Sequence, residues 1–296
     1  MSDADRVEAH RELVAGLFPQ LSLDAFEPIE GGWTCDTYLA DGSWIVQLPR
    51  TPYAEERLRR QIEILPELGS EVSSAVPMPE LVSLEPVCMG YRAIDGVSCD
   101  ATTDDGLWPE RLGRFLYDLH MVPPEFLGMR ATRAEAVRVS RRQDWVRLRD
   151  LAEPHLTRDD AHAAFASIEA IFDDDAAWGF APCVTHGDLA PDHVLVTPSG
   201  DLAGVLDWEE VGVGDPAWDF AWWLHAAPGV GERALAAYGG TPDAGFLTRA
   251  ALSFALMPLH ELEHGVETER TDLVASGAGG FLERLPTLGS QGEPRL

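Results

Sequence analysis

Two histidines and two aspartates fall within eight positions of THGDLAPDHVLV, residues 185–196. His186, Asp188, Asp192 and His193 are too polar and too closely spaced to fill one apolar face together. Three readings fit them: a metal cluster, a general base with its accessories, or a polar turn between strands. A further carboxylate, Asp207, closes the apolar run LAGVLDW, and the run before it is VLVT. Pro198, Ser199, Gly200 and Asp201, all turn formers, stand between the two runs. A tight hairpin there returns Asp207 to the start of HVLV, close to Asp188 and His193. One carboxylate is then free to act as a base, while an imidazole and a second carboxylate can hold a divalent cation. Phosphoryl transfer needs this set: a group that orients the attacking hydroxyl and a metal that neutralises the phosphates. Magnesium commonly takes one or two protein carboxylates and completes its sphere with phosphate and water. A metal-dependent phosphoesterase also uses Asp and His clusters but needs further ligands, and the donors in DPAWDF and LHELEH sit better on helices. Taken singly, an aspartate beside glycine marks a turn, and a histidine beside a strand is a hydrogen-bonded core residue.

Hydrophobic periodicity gives the elements that must carry these side chains. Residues 3–17 read as a helix with Val7, Leu13, Val14 and Leu17 on one side. Residues 26–50 read as two or three strands turned at Gly31-Gly32 and Asp41-Gly42. YAEERLRRQIEIL puts Leu58, Ile62 and Leu65 at helical spacing, with Pro66 near its end. Two more strands follow around Glu85-Pro86, so the chain up to about residue 96 is mostly antiparallel sheet with one helix. Helices dominate beyond: 107–122, with Leu112, Phe115, Leu116 and Leu119 on its apolar face, then 133–156, 158–174 and the chain from 216 onward. A strand-rich part, 1–95, and a helical part, 96–296, thus form two lobes joined near 91–99. GSQGEPRL, 289–296, reads as a disordered tail.

Composition narrows the partners. Against 50 Asp and Glu stand 22 Lys and Arg, a net charge of −28, and every basic side chain is arginine because the sequence has no lysine. Such a chain will not grip nucleic acid or anionic lipid, and it suits a cationic ligand. Cys35, Cys88, Cys99 and Cys183 are scattered without a CxxC pair, which excludes zinc-finger and thioredoxin readings. MSDADRVEAH has neither a basic n-region nor an apolar h-region, and no apolar run nears membrane-spanning length. A soluble cytoplasmic protein without membrane contact is the expectation.

HGDLAPDHVL, GVLDWEEVGVGDPAWDFA and CMGYRAIDGV together resemble the aminoglycoside phosphotransferase family, including its 2″-aminoglycoside and macrolide branches, in order over roughly residues 26–285. The resemblance implies an α+β, bilobal protein-kinase-like fold. A small β-rich nucleotide-binding lobe would span 1–95, and a larger, mainly helical catalytic and substrate-binding lobe 96–296. It also implies ATP or GTP as co-substrate with Mg²⁺ or Mn²⁺. By the match, Asp188 is the catalytic-loop base and Asp207 the metal-binding aspartate of the D-F-G position. His193 takes the place of the asparagine that is the other metal ligand, a role a neutral imidazole nitrogen can fill. His186 and Asp215 match residues that brace the loop. Tyr91 matches the position that screens the purine pocket, Arg92 and Ile94 the hinge backbone that bonds the base, and Gly31 and Gly32 the loop over the phosphates. Asp192, Glu209 and Glu210 lie where relatives place acidic groups for an aminated substrate. The first lobe departs from the pattern: Gln47 replaces a strand cation and Gln61 its helical Glu partner, leaving two amides that could bond each other.

The reading that follows is a kinase that phosphorylates an aminoglycoside-type or related aminated antibiotic, acting as a monomer or weak dimer. Its alternatives are a macrolide 2'-phosphotransferase, a metabolic small-molecule kinase and a non-catalytic, pseudokinase-like binding protein. Gln47 and Gln61 favour the last, and the intact Asp188, His193 and Asp207 oppose it.

Overall fold

The computed structural model of the chain describes residues 3–30, 32–99 and 105–289. Gly31, and the expected tail from residue 290 onward, lie outside the described residues. The chain divides into two compact units. One comprises Met1–Cys99, Phe126–Gly128 and Pro191–Glu210; the other comprises Asp100–Glu125, Met129–Ala190 and Val211–Leu296.

In the first unit, β1 (Phe26–Ile29), β2 (Cys35–Ala40), β3 (Trp44–Pro49), β4 (Leu81–Leu84) and β5 (Val87–Arg92) form an antiparallel sheet in the order β1-β2-β3-β5-β4. Burial alternates along β3 and most of β2, as the two-residue period of a strand requires. Tyr38, Ala40, Val46 and Leu48 thereby reach a core shared with Val14 of α1 (Asp3–Leu17) and with Phe18. Asp41 and Gly42 both take positive φ, 50° and 64°, the two-residue turn whose twist suits a hairpin. α2 (Pro52–Glu71) opens on Thr51, whose hydroxyl caps the Ala54 N–H at 3.1 Å. It runs on through Pro66 to Glu71 instead of ending there. The proline removes one backbone N–H on an exposed face, while the fully buried Leu65 and Leu68 carry the apolar stripe past it. A smaller sheet, β6-β8-β9, combines β6 (Val97–Ser98), β8 (Val194–Val196) and β9 (Leu202–Val205).

The second unit is helical: α3 (Trp108–Met121), α4 (Ala134–Ala152), α5 (Arg158–Asp173), α6 (Pro216–Asp219), α7 (Ala221–Ala226), α8 (Pro228–Ala237), α9 (Phe246–Glu267) and α10 (Thr271–Arg284). Its one ladder pairs β7 (Cys183–Thr185) with β10 (Gly212–Gly214) among the described residues. Trp145, Ile168, Phe172, Leu252, Leu259 and Phe281 are fully buried in one cluster, each worth ~1.5–3 kcal/mol of apolar transfer. The expected α+β organisation, a sheet-bearing N-terminal region followed by a helical C-terminal region, is the one observed. No described helix is long and apolar enough to cross a membrane.

Candidate active site

β8 and β9 form the hairpin that the turn residues implied, with Val194 opposite Val205. Glycine is needed at 204: a Cβ there would stand 2.8 Å from the Ala75 carbonyl oxygen, which accepts the Val205 N–H at 2.9 Å. Beyond β9, Leu206 donates its N–H to the His193 carbonyl at 2.7 Å. Asp207 then turns with φ 59°, a left-handed conformation that aspartate tolerates better than most residues. His193 Nε2 ends 3.5 Å from Asp207 Oδ2. Asp192 Oδ2 lies 3.7 Å from the same nitrogen, on a side chain 75% exposed. An imidazole nitrogen and a carboxylate oxygen at this spacing can share one divalent cation. Among the described residues no three His, Cys, Asp or Glu side chains converge as a metal site. Two protein donors suffice for an ion that draws its other ligands from phosphate and water, so the residues fit the metal that the resemblance implies.

The same unit holds the described residues expected at the nucleotide. Tyr91 is buried on β5 opposite Ile45 of β3; burial, then the charge of Asp207, pushes its phenol up and keeps it neutral. Arg92 stacks on Trp44 at 3.8 Å, and Ile94 packs beside Gly204. Arg50 donates to the Gly32 carbonyl at 2.7 Å and to Asp36 at 3.0 Å. Gln47 sits between Thr37 and Met89 in the sheet, and Gln61 is buried on α2. No hydrogen bond joins these two amides, so that part of the expectation is not met. Glu209 accepts from the Thr34 hydroxyl at 2.6 Å; burial, then Asp207, raises its carboxyl. Glu210 pairs with Arg57 at 2.8 Å. Burial also lifts the thiols of Cys35 and Cys88 to about 12, so neither supplies a thiolate.

Asp188 belongs to the second unit. β7 delivers the chain to His186, and Gly187 makes the turn with φ 88°. The buried Asp219 carboxylate accepts the N–H groups of both His186 and Gly187 at 2.9 Å, and His186 Nδ1 accepts the Asp188 N–H at 3.3 Å. His120 in turn donates Nε2–H to Asp219 at 3.0 Å, because the carboxylate can only accept. Nδ1 of His120 then takes the Tyr238 hydroxyl at 2.9 Å. Burial acts to raise the Asp219 carboxyl, but His120 and the backbone donors outweigh it and hold it below the ordinary value. His120, Asp219 and Tyr238 were not singled out from the sequence, although Asp219 is the second aspartate of GDPAWDF. Asp215 caps α6 and is bound by the buried Arg249 at 2.6 and 3.2 Å, whereas the loop backbone at His186 and Gly187 is held by Asp219. Asp188 itself is exposed, and its charge reaches His260 of α9. Partial desolvation, then the Arg141 and Arg147 guanidinium groups of α4, lower the His260 pKa and leave it neutral at pH 7. Arg141 lies over the Trp218 ring at 3.5 Å.

Residues 25–252 match the model of the phosphotransferase enzyme family, APH. Viomycin phosphotransferase of Streptomyces vinaceus is 32% identical over 113 residues, 36% of this chain and 38% of that relative, so the chain spans well under two thirds of it. The GDP complex of wild-type aminoglycoside 2'-phosphotransferase-IIIa superposes with a TM-score of 0.81 at 19% identity, covering 95% of this chain and 98% of that one. Macrolide 2'-phosphotransferase MphH from Brachybacterium faecium gives 0.74 at 26% identity, covering 97% and 100%.

Proposed function

This chain belongs to the phosphotransferase enzyme family, and we propose that it moves the γ-phosphoryl of ATP or GTP to a hydroxyl of an aminated antibiotic. The observation that carries the reading is the Asp188 loop. An exposed carboxylate stands on a backbone fixed by Asp219 and His186, five residues before His193 and its Asp207 partner. Asp188 accepts the proton of the acceptor hydroxyl as that oxygen bonds to the γ-phosphorus; the bond from the γ-phosphorus to the bridging oxygen breaks and the nucleoside diphosphate leaves. A divalent cation held by His193 and Asp207 neutralises charge on the phosphates when bound. Tyr91, Arg92, Ile94, Gln47 and the Gly31-Gly32 loop hold the nucleotide, and Asp192 offers an exposed charge for an amine.

Within this class we favour a macrolide-type acceptor, one basic nitrogen beside the hydroxyl on a large apolar ring. The charges of Asp188, Asp144, Arg141 and Arg147 all reach His260, and Arg141 lies over the Trp218 ring. Arg147 is paired with Glu263 and lies near Asp144, and Arg141 covers the Trp218 ring, so engaged charges beside an aromatic face suit a monocation with apolar bulk better than a polycation. The net charge of −28 supports an aminoglycoside acceptor as the second reading. The full chain, incubated with ATP or GTP and Mg²⁺ against a panel of macrolides, aminoglycosides and viomycin, should give a singly phosphorylated macrolide by mass spectrometry. Phosphorylation of aminoglycosides alone would replace the acceptor, and no product from any member of the panel would sink the reading.

A further inference from the structure

With Gln47 and Gln61 neutral and no hydrogen bond between them, the ionic tie that would join α2 to the phosphate-binding strand is absent. α2 nevertheless carries a cation directed at the site. Arg57 lies one helical turn before Gln61, on the same face. Its Nη1 is 2.8 Å from Glu210 Oε1 and also donates to the backbone carbonyl of Glu209. The guanidinium packs against the Tyr53 ring, 4.6 Å from its centroid, and only 24% of the side chain is exposed. The turn it grips is the one that follows Asp207, whose φ of 59° costs aspartate less than most residues but still needs its surroundings to hold it. On the other side of that turn the Thr34 hydroxyl donates to Glu209 at 2.6 Å, and Arg50 donates its N–H to the Thr34 carbonyl at 2.9 Å.

We propose that Arg57 is the positioning residue for the metal-binding aspartate: by clamping Glu209 and Glu210 it ties α2 to the turn that sets Asp207, replacing the ion pair lost at Gln47 and Gln61. The proposal rests on the reading that Asp207 binds metal. Glu210 is then an anchor for Arg57 and not a contact for the substrate. The clamp differs from an ordinary surface ion pair in holding a backbone carbonyl and a carboxylate at once, so one cation fixes two consecutive residues.

The test is Mn²⁺ binding to the full chain, followed by electron paramagnetic resonance without nucleotide, alongside thermal unfolding. Asp207→Asn should abolish the binding; if it does not, both the metal reading and the clamp fall. Arg57→Gln and Glu210→Gln should each raise the Mn²⁺ dissociation constant by about tenfold, the loss of roughly one charge-assisted hydrogen bond. Their double variant should be no worse than the worse single, and Arg57→Lys should recover part of the loss. Glu210 is 44% exposed, so Glu210→Gln reports on a folded protein even if Arg57→Gln does not. Wild-type Mn²⁺ affinity in Glu210→Gln and Arg57→Gln, with Asp207→Asn inactive in binding, overturns the clamp alone. Additive losses in the double variant overturn it as well.

Discussion

Asp188 stands between the half-buried Gly187 and the buried Leu189 and is itself exposed, so asparagine there changes charge without touching the core. Asp188→Asn should lower the rate of phosphoryl transfer by ~10²–10⁴-fold, the usual worth of general-base help. Nucleotide affinity, measured by calorimetry, should stay within about twofold, because the residues assigned to the nucleotide belong to other segments. Retention of most of the turnover would remove Asp188 from the chemistry. His193 poses a different question, since its Nε2 stands 3.5 Å from Asp207 Oδ2. Asparagine also offers one neutral donor atom, so His193→Asn should keep measurable activity while His193→Leu should not. An imidazole suits softer ions better than an oxygen ligand does, and the wild type should work with Mn²⁺ at least as well as with Mg²⁺, a preference weakened in His193→Asn. Equal loss in the two variants, with no change of metal preference, would make His193 structural.

At the scale of elements, β3 and α2 carry the departure that the family resemblance exposes. Gln61 is 6% exposed, so Gln61→Glu alone buries a carboxylate in place of a neutral amide. That should destabilise the first unit by ~3–5 kcal/mol. Gln47→Lys, on a less buried strand position, should cost less. If the two positions meet, Gln47→Lys with Gln61→Glu should recover most of the loss and lower the nucleotide KM roughly tenfold, read as coupling in a double-mutant cycle. Additive effects on stability and KM would place the two side chains apart. The long elements here were legible from residue types alone. α2, α3 and the β8–β9 hairpin carry periodic apolar residues or a four-residue turn signal, and HGD, DHVL and LDW lie close together in the chain. β6, β7 and β10, at two or three residues each, are too short for any period to show. Contacts across long separations were equally hidden: Arg57 meets Glu209 from 152 positions away, and His120 meets Asp219 from 99. Nothing local to Arg57 or His120 marks them, because their roles are set by what the fold brings opposite.

Over the whole molecule, 50 carboxylates face 22 basic groups, and the net charge of −28 acts against the compact state at neutral pH. Screening shortens the reach of that repulsion from about 30 Å at 0.01 M salt to about 8 Å near physiological strength. At pH 7.5 the apparent midpoint of thermal unfolding should therefore rise between 10 mM and 500 mM NaCl, despite the surface ion pairs that salt weakens. A midpoint that falls with salt would mean that local pairs outweigh the global charge. Once repulsion is screened, histidines set the slope between pH 7 and 5. His10, His225 and His260 all have lowered pKa values, desolvation being the largest cause in each. A histidine whose folded pKa is depressed favours the native state only while neutral. Its contribution is complete above the unfolded value of about 6.5 and is lost as pH falls through the folded pKa. In 500 mM NaCl the midpoint should thus drop on acidification from pH 7 to 5. His225 is the cleanest of the three to remove, because desolvation alone lowers its pKa, its Nε2 has no hydrogen-bond partner, and its ring stacks on Phe254 at 5.3 Å. His225→Phe keeps the stacking and deletes the proton site, so it should flatten the slope while leaving the midpoint at pH 7.5 unchanged or higher. An unchanged slope would show that His225 takes up its proton equally well in the folded and unfolded chain.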